Sequence, residues 1–482
     1  MMKKNAPSRA GGNPGRAGKW ITGLAAMTLA LLAGCATVPP IDRAALPATP
    51  AAFREGDGRW TIAPPAEAQP RGEWWKAFGD PVLDALEARA ERGNTGIQVA
   101  AARLAQARAL VRSTNADRLP QVGVDAGAQR AYGQPFNPGR PASLLTAGAD
   151  LSYEVDLFGK LAQATRAAEL DARAREGLLQ STRLLVQADV AQSYLALRAL
   201  DDERALVRST VAAYRETLDL IERRHRAGDV AELDVTRART EVAATEAEAL
   251  ALDRRRGDLE HALAVLVGDT ASTFTLPVAA SHASLPIIPA GVPSTVLTRR
   301  PDISAAEASM LAAQARVGVA KAAWFPSIAL TATGGYASSE IEDLFKWSAR
   351  AWGVGALLSL PVFDGGRREA GVESARAGMD EAVAQYRERV LVAFRDVEDQ
   401  LSALRLLGEQ AQAQARAVDA AARTTALSGV RYRNGLVSQL ELLDAQRSEL
   451  RNRRQAVEVR SAQYQATVGL VRALGGGWGN AS

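Results

Sequence analysis

The 482-residue chain has one cysteine, Cys35, so no disulfide can form within it and a thiolate metal site is excluded. Histidine is almost as scarce. His225, His261 and His282 are the only three, and no HExxH or similar metal spacing occurs. GxSxG, P-loop and GxGxxG motifs are missing, and no acid–base–nucleophile set is recognisable, which argues against an enzyme. The charged cluster "RRPD" at 299–302 fits a helix start better than an active site, because Pro301 suits a first turn.

Acids are missing from residues 1–34, which hold Lys3, Lys4, Arg9, Arg16 and Lys19. The formal charge of +4 therefore belongs to this segment, leaving 53 bases against 54 acids in the rest and no basic footprint for nucleic acid. The apolar run "ITGLAAMTLALL" is too short to span a bilayer and reads as the core of a secretory signal. It ends in "LAGC". A small-residue cleavage site that happens to contain a cysteine is the plainer alternative. A lone cysteine directly after Leu-Ala-Gly fits a bacterial lipoprotein signal better, with the Cys35 thiol as the nucleophile that takes the lipid. Ala36, standing where Asp often signals inner-membrane retention, favours the outer membrane. Residues 36–72, rich in Pro, Ala and Gly, read as an extended tether.

Proline is absent between Pro141 and Pro277 and again after Pro361. Both gaps are rich in Ala, Leu, Arg, Glu and Gln, strong helix formers, and helices of that length need a partner surface. Leu436, Leu443, Leu450, Val457, Tyr464 and Val471 recur every seven residues; Ala199/Leu200, Leu206/Val207, Ala213/Tyr214 and Leu220/Ile221 do the same. Sevenfold spacing predicts left-handed coiled-coil packing, against the alternative of ordinary globular amphipathic helices. Gly228 and Gly435 break the two runs and predict helical hairpin turns.

Between the helices, 120–133 with 142–159 and 325–339 with 351–366 predict two strand pairs, rich in small residues and alternating with period two. Aromatics at Tyr132, Phe158, Trp324, Phe325, Tyr336, Trp352 and Phe363 lie near the strand ends, as membrane-interface girdles do; a soluble hairpin is the other reading. "RHRAGDVAELDVTRART" at 224–240 returns 207 residues later as "RYRNGLVSQLELLDAQR" at 431–447. Each half reads helix, strand, strand, long helix, turn, long helix, so the chain is an internal tandem duplication. Four strands cannot close a barrel, and open edges are not tolerated in lipid, so several copies must assemble.

These features resemble the outer-membrane efflux duct family, the TolC/OprM-like proteins, in its lipoprotein branch. The resemblance rests on "WWKAFGDPVLDAL" (74–86), "LSYEVDLFGKL" (151–161), "GVPSTVLTRRPDISAAE" (291–307), "VGVAKAAWFPSIAL" (317–330), "LPVFDGGRR" (360–368), "RYRNGLVSQLELLDAQR" and "LVRALGGGW" (470–478), in order. It implies an α+β membrane protein: a trimeric twelve-stranded transmembrane β-barrel, four strands per chain, continuous with a long periplasmic α-helical coiled-coil barrel. It implies passive export of drugs and small toxic compounds, delivered by an inner-membrane RND-type pump through a periplasmic adaptor. No cofactor is expected beyond lipid on Cys35, as N-palmitoyl and S-diacylglycerol. Partners implied are two further copies, adaptor, pump and outer-membrane lipid, with no nucleic acid.

The resemblance also implies that the hairpin tips form a closed periplasmic mouth. Leu440 and Asp444 match its constricting positions, with Glu441 beside them. Arg431, Tyr432 and Arg433 match the residues that latch it, and Asp234 matches the acid of the first repeat. From helix geometry alone, Leu440, Glu441, Asp444 and Val437 fall within about 100° of one another, next to the face carrying Leu436, Leu443 and Leu450. Solvated helix pairs among Glu441, Asp444 and Arg447 are the alternative.

The resulting plan has a signal peptide at 1–34, a lipidated tether at 35–73 and a first repeat at 74–268. A linker at 269–298, a second repeat at 299–474 and a flexible tail at 475–482 follow. A type I secretion exit duct and a non-conducting periplasmic coiled-coil scaffold stand as alternative functions.

Overall fold

The computed structural model describes residues 38–42, 46–55, 72–133, 137–280, 283–286, 288, 296 and 299–476. Cys35 and the signal segment lie outside them. After a 3-10 turn at Trp74–Phe78 come α1 (Pro81–Gly93), α2 (Thr95–Ala116), β1 (Gln121–Gly133), β2 (Asn137–Val155), α3 (Lys160–Arg226) and α4 (Glu232–Val267). The second half follows with α5 (Pro301–Ala322), β3 (Ser327–Ser338), β4 (Arg350–Ser359), α6 (Arg367–Arg433) and α7 (Gln439–Ala473). Both ends of α3 and α6 are offset by 207 residues, and each helix has 67 residues, about 100 Å at about 1.5 Å per residue. The duplication is structural. The strand ends differ from the sequence reading: β2 starts earlier, at Asn137, and stops at Val155, and β4 stops at Ser359, where Asp156–Gly159 and Leu360–Gly366 turn the chain into the long helices.

The chain divides into two compact units. One, built from 109–170 and 310–381 with the described residues 38–42, holds a single antiparallel sheet in the order β1-β2-β3-β4. Cross-strand partners share a face, so the register sorts the side chains. Val122, Val124, Leu145, Leu151, Ile328, Leu330, Val354 and Leu358 fall on one face; Gln121, Asp125, Thr146, Asp150, Ser152, Thr331 and Thr333 fall on the other. Gly335 pairs with Gly148, and a Cβ there would lie 2.4 Å from the Ala147 oxygen, so only glycine fits the crossing. At the strand-to-helix junctions, the Asp156 carboxylate accepts from the Leu161 and Ala162 amides, and Asp364 from Gly366 and Arg368. These carboxylates satisfy amides that a helix start leaves unpaired.

The other unit, from 44–108, 171–309 and 382–482, is the helical body. Its core gathers Trp74, Phe78, Leu83, Tyr194, Leu197, Leu263 and Tyr464. Asp80 caps α1 through the Val82 amide at 2.9 Å and accepts the Tyr194 hydroxyl at 2.6 Å, which explains why "WWKAFGD" precedes the helix. Buried Asp201 accepts from Arg198, Arg204 and Arg256. Arg300, read from sequence only as part of a helix start, ties α5 to α6 and α7 through Asp302, Asp396 and the Ala473 carbonyl.

Three sequence expectations need correction. Leu436 is 67 % exposed, because α7 begins only at Gln439; the heptad row is buried at Leu443, Tyr464 and Val471 and half-buried at Leu450 and Val457. The described part of the tether is docked, not free. Phe53 is buried among Val390, Val397 and Leu470, and the Glu398 carboxylate accepts the amides of Arg54 and Glu55 at 2.7 and 2.9 Å. Gly475 and Gly476 are buried, with φ of +90° and +74°, closing α7 rather than beginning a loose tail; residues 477–482 lie outside the described set.

Candidate functional site

Each helical hairpin ends in the same backbone device. In the second, the Gly435 amide donates to the Tyr432 carbonyl at 3.0 Å and Leu436 to Arg431 at 2.9 Å. In the first, Gly228 donates to His225 and Asp229 to Arg224, both at 2.9 Å. These are Schellman ends, which need a left-handed residue, and Gly228 and Gly435 have φ of +84° and +69°. The returning helices differ: the Ser438 hydroxyl accepts from the Glu441 amide at the start of α7, whereas Ala231 gives α4 no side-chain cap.

Along the first turns of α7, Leu442, Leu443 and Ala445 are buried while Leu440, Glu441 and Asp444 are exposed. Leu443 packs with Tyr214 of α3 and Val242 of α4, so the packing face and the exposed face are distinct. Leu440 keeps 44 % exposure. Arg431 reaches back across the turn to Glu441 at 3.7 Å. Asp444 makes no ion pair with Arg431 or Arg433 among the described residues; its pair is with Arg447, at 3.4 Å, the helix pair given above as the alternative. One α-helical turn places Arg447 nearer than any residue across the hairpin. Arg433 makes no ion pair among the described residues. Tyr432 lies under the Arg224 guanidinium, 5.7 Å from ring centroid to carbon, joining the two tips. Asp234 pairs locally with Arg237 at 3.8 Å.

The structure adds partnerships that sequence reasoning missed. Arg447 donates from Nε to Glu241 of α4 at 2.8 Å, and this hydrogen bond raises its pKa further. Seven residues on, Arg454 binds Glu203 of α3 at 2.7 Å and Glu248 of α4. Burial works against the Arg454 charge, but the two carboxylates outweigh it and raise its pKa. Glu241 and Glu248 are also seven apart, and that matching heptad spacing of opposite charges was the available signal.

Chemically, the tips offer exposed charge pairs and the exposed apolar side chains of Leu233, Leu436 and Leu440, an arrangement suited to reversible association. The sheet supplies an apolar face bounded by aromatics. Phe158 stacks on Phe325 at 4.7 Å near one end, and Tyr336 meets Phe345 at 5.6 Å near the other. Among the described residues, no helix is long and apolar enough to cross a membrane.

The family model described as outer membrane efflux protein matches twice, over residues 87–269 and 292–476. The toluene efflux pump outer membrane protein TtgF of Pseudomonas putida is 34 % identical over 461 residues, covering 94 % of this chain and 96 % of its own. The cation efflux system protein CusC of Escherichia coli is 30 % identical, covering 93 % and 96 %. The solved outer-membrane channel OprN superposes with a TM-score of 0.83 at 32 % identity, covering 92 % of this chain and 99 % of its own. With both halves matched by one family model and near-complete relatives, the chain belongs to the outer membrane efflux protein family.

Proposed function

We propose that three copies join their sheets edge to edge into a twelve-stranded barrel across the outer membrane, with the helical hairpins continuing into the periplasm as a coiled-coil barrel. The observation that carries this is the two-faced sheet with open edges. Its face of Val, Leu and Ile suits lipid, its Thr, Asp and Gln face suits a watery lumen, and β1 and β4 each pair on one side only among the described residues. In hydrocarbon an unpaired strand edge costs several kcal/mol per polar group, so β4 of one copy pairs with β1 of the next. Strands of 10 to 19 residues are long enough, since a tilted span needs about 9–11.

The duct exports small toxic compounds passively, as the exit of a tripartite system with a periplasmic adaptor and an inner-membrane RND-type pump. Relatives named for toluene and for cations share this scaffold, which supports a pump, rather than the duct, as the selecting element. Leu440, Glu441, Asp444 and Asp234 of three copies converge at the tips as the mouth, with Arg431 and Tyr432 as its latches and Gly228 and Gly435 as its turns. Arg433 is assigned to the latch on the resemblance alone.

Purified protein in mild detergent tests the assembly by light scattering corrected for bound detergent. A trimer mass supports the closed barrel, and a monomer contradicts it. Cys35 carries the lipid anchor in this reading. Palmitate labelling in a Gram-negative host marks the wild type and misses Cys35→Ala; an unlabelled wild type contradicts the anchor.

A further inference from the structure

The contacts that hold α7 strengthen with distance from the hairpin tip. At the tip, Arg431–Glu441 is a single 3.7 Å pair between half-exposed side chains, and Arg224–Tyr432 a 5.7 Å ring contact. Further along, Arg447, itself 43 % exposed, binds a single acid on one neighbouring helix, Glu241 of α4, through Nε at 2.8 Å and through Nη2, with the Glu241 side chain 14 % exposed. Arg454 then spans two helices, donating from Nε to Glu203 of α3 at 2.8 Å and from Nη1 to Glu248 of α4. The Glu203 side chain is only 9 % exposed. Beyond it, Gln465 Nε2 donates to the Gln192 carbonyl at 2.9 Å and the buried Tyr464 hydroxyl to the Ala283 carbonyl at 2.6 Å.

Exposed pairs in water are cheap to break, whereas unpairing a cation from a nearly buried carboxylate is not. A bending helix therefore moves up to the point where its contacts become expensive. Space exists around that point, between the two rungs and just past the second. A cleft of about 480 Å³ lies between the helices, lined by Tyr214, Thr245, Leu450, Arg451 and Gln455 together with both rungs. The buried Tyr214 hydroxyl in its wall has no hydrogen-bond partner among the described residues.

We infer that Arg454 is the fulcrum of the mouth, a positioning residue about which the tip end of α7 swings while the helix beyond it stays fixed. The Arg447–Glu241 rung breaks on opening and the Arg454 rung holds. This rests on reading the hairpin tips as the closing mouth of a duct.

Cys35 is the only native cysteine, so paired cysteines can be introduced cleanly. The background is Arg431→Ala with Leu440→Gly, whose potassium chloride conductance in planar bilayers is raised. Glu241→Cys with Arg447→Cys, joined by a short bifunctional thiol reagent, returns that conductance to the wild-type level. Glu248→Cys with Arg454→Cys, joined likewise, leaves it raised. The unjoined variants report whether each trimer is assembled and conducting before linking. Loss of conductance at both rungs places the moving segment beyond Arg454 and overturns the inference, as does persistence at both. Arg454→Gln gives an independent measure: it strands the nearly buried Glu203 and lowers the melting temperature, so enlarged conductance of the assembled trimer supports the fulcrum, and unchanged conductance refutes it. A wild-type protein that never conducts removes the duct reading itself, a result separable from either.

Discussion

Arg447 of α7 lies between two acids, bonded to Glu241 of α4 at 2.8 Å and 3.4 Å from Asp444 one turn away. The Glu241 side chain is only 14 % exposed, so removing Arg447 strands a carboxylate with little water to replace it. Arg447→Ala costs about 1–2 kcal/mol, discounted because Arg447 itself is half in solvent. Adding Glu241→Ala recovers part of that loss. Thermal unfolding of the single and double variants checks it, and strictly additive losses show that the pair is uncoupled.

Glu87 of α1 is 1 % exposed, with no hydrogen-bond partner on either carboxylate oxygen among the described residues. Burial, with Glu91 and Asp84 nearby, raises its pKa from 4.5 to about 9. A raised acid favours the folded state fully below 4.5, and that stability is lost as pH rises through about 9. Glu87→Gln keeps the shape without the charge. It melts higher than the wild type by an amount that grows from pH 5 to pH 8, on the order of a few kcal/mol at the upper end. A constant difference across that range contradicts the burial of a titrating group.

Arg300 holds three helices through Asp302, Asp396 and the Ala473 carbonyl while 8 % exposed. Arg300→Ala costs about 3 kcal/mol, because both carboxylates lose a buried cation. Arg300→Lys recovers only part, since an ammonium lacks the planar fork that reaches Asp302 twice. Equal melting temperatures for Ala and wild type rule out the tie.

Gly435 has a φ of +69° and no atom within 4 Å of the position a Cβ would take, so any cost of substitution is backbone strain alone. Gly435→Ala lowers stability by about 1 kcal/mol, while Gly435→Asn, which tolerates the left-handed region, stays close to the wild type. Comparing the melts of the two variants checks this. Identical losses for Ala and Asn point to another cause.

Features of the chain that depend on local pattern were legible before any coordinates. The proline-free gaps became α3 with α4 and α6 with α7, Gly228 and Gly435 became turns, and the duplicated stretch became two hairpins. Strand existence was legible, but strand ends were not, because the residues of Asp156–Gly159 continue the apolar pattern past the last ladder bond. Partnerships between distant helices were hidden for a different reason. Which face of α7 meets α4 depends on packing, so the sequence offers Arg447 only as a solvated helix pair with Asp444 and gives no sign of its reach to Glu241 or of the reach of Arg454 to Glu203 and Glu248. The docking of Phe53 was hidden because a Pro- and Ala-rich segment without periodicity carries no local sign of the surface that receives it.

Single-channel recording in planar bilayers tests the gated duct most directly. Wild-type trimers conduct at a low level, and Leu440→Gly or Arg431→Ala with Arg433→Ala raises conductance while leaving the trimer intact. Assembled trimers of those variants with wild-type conductance would show that the hairpin tips do not close the path, and a protein that conducts nothing in any variant would show that there is no path to close.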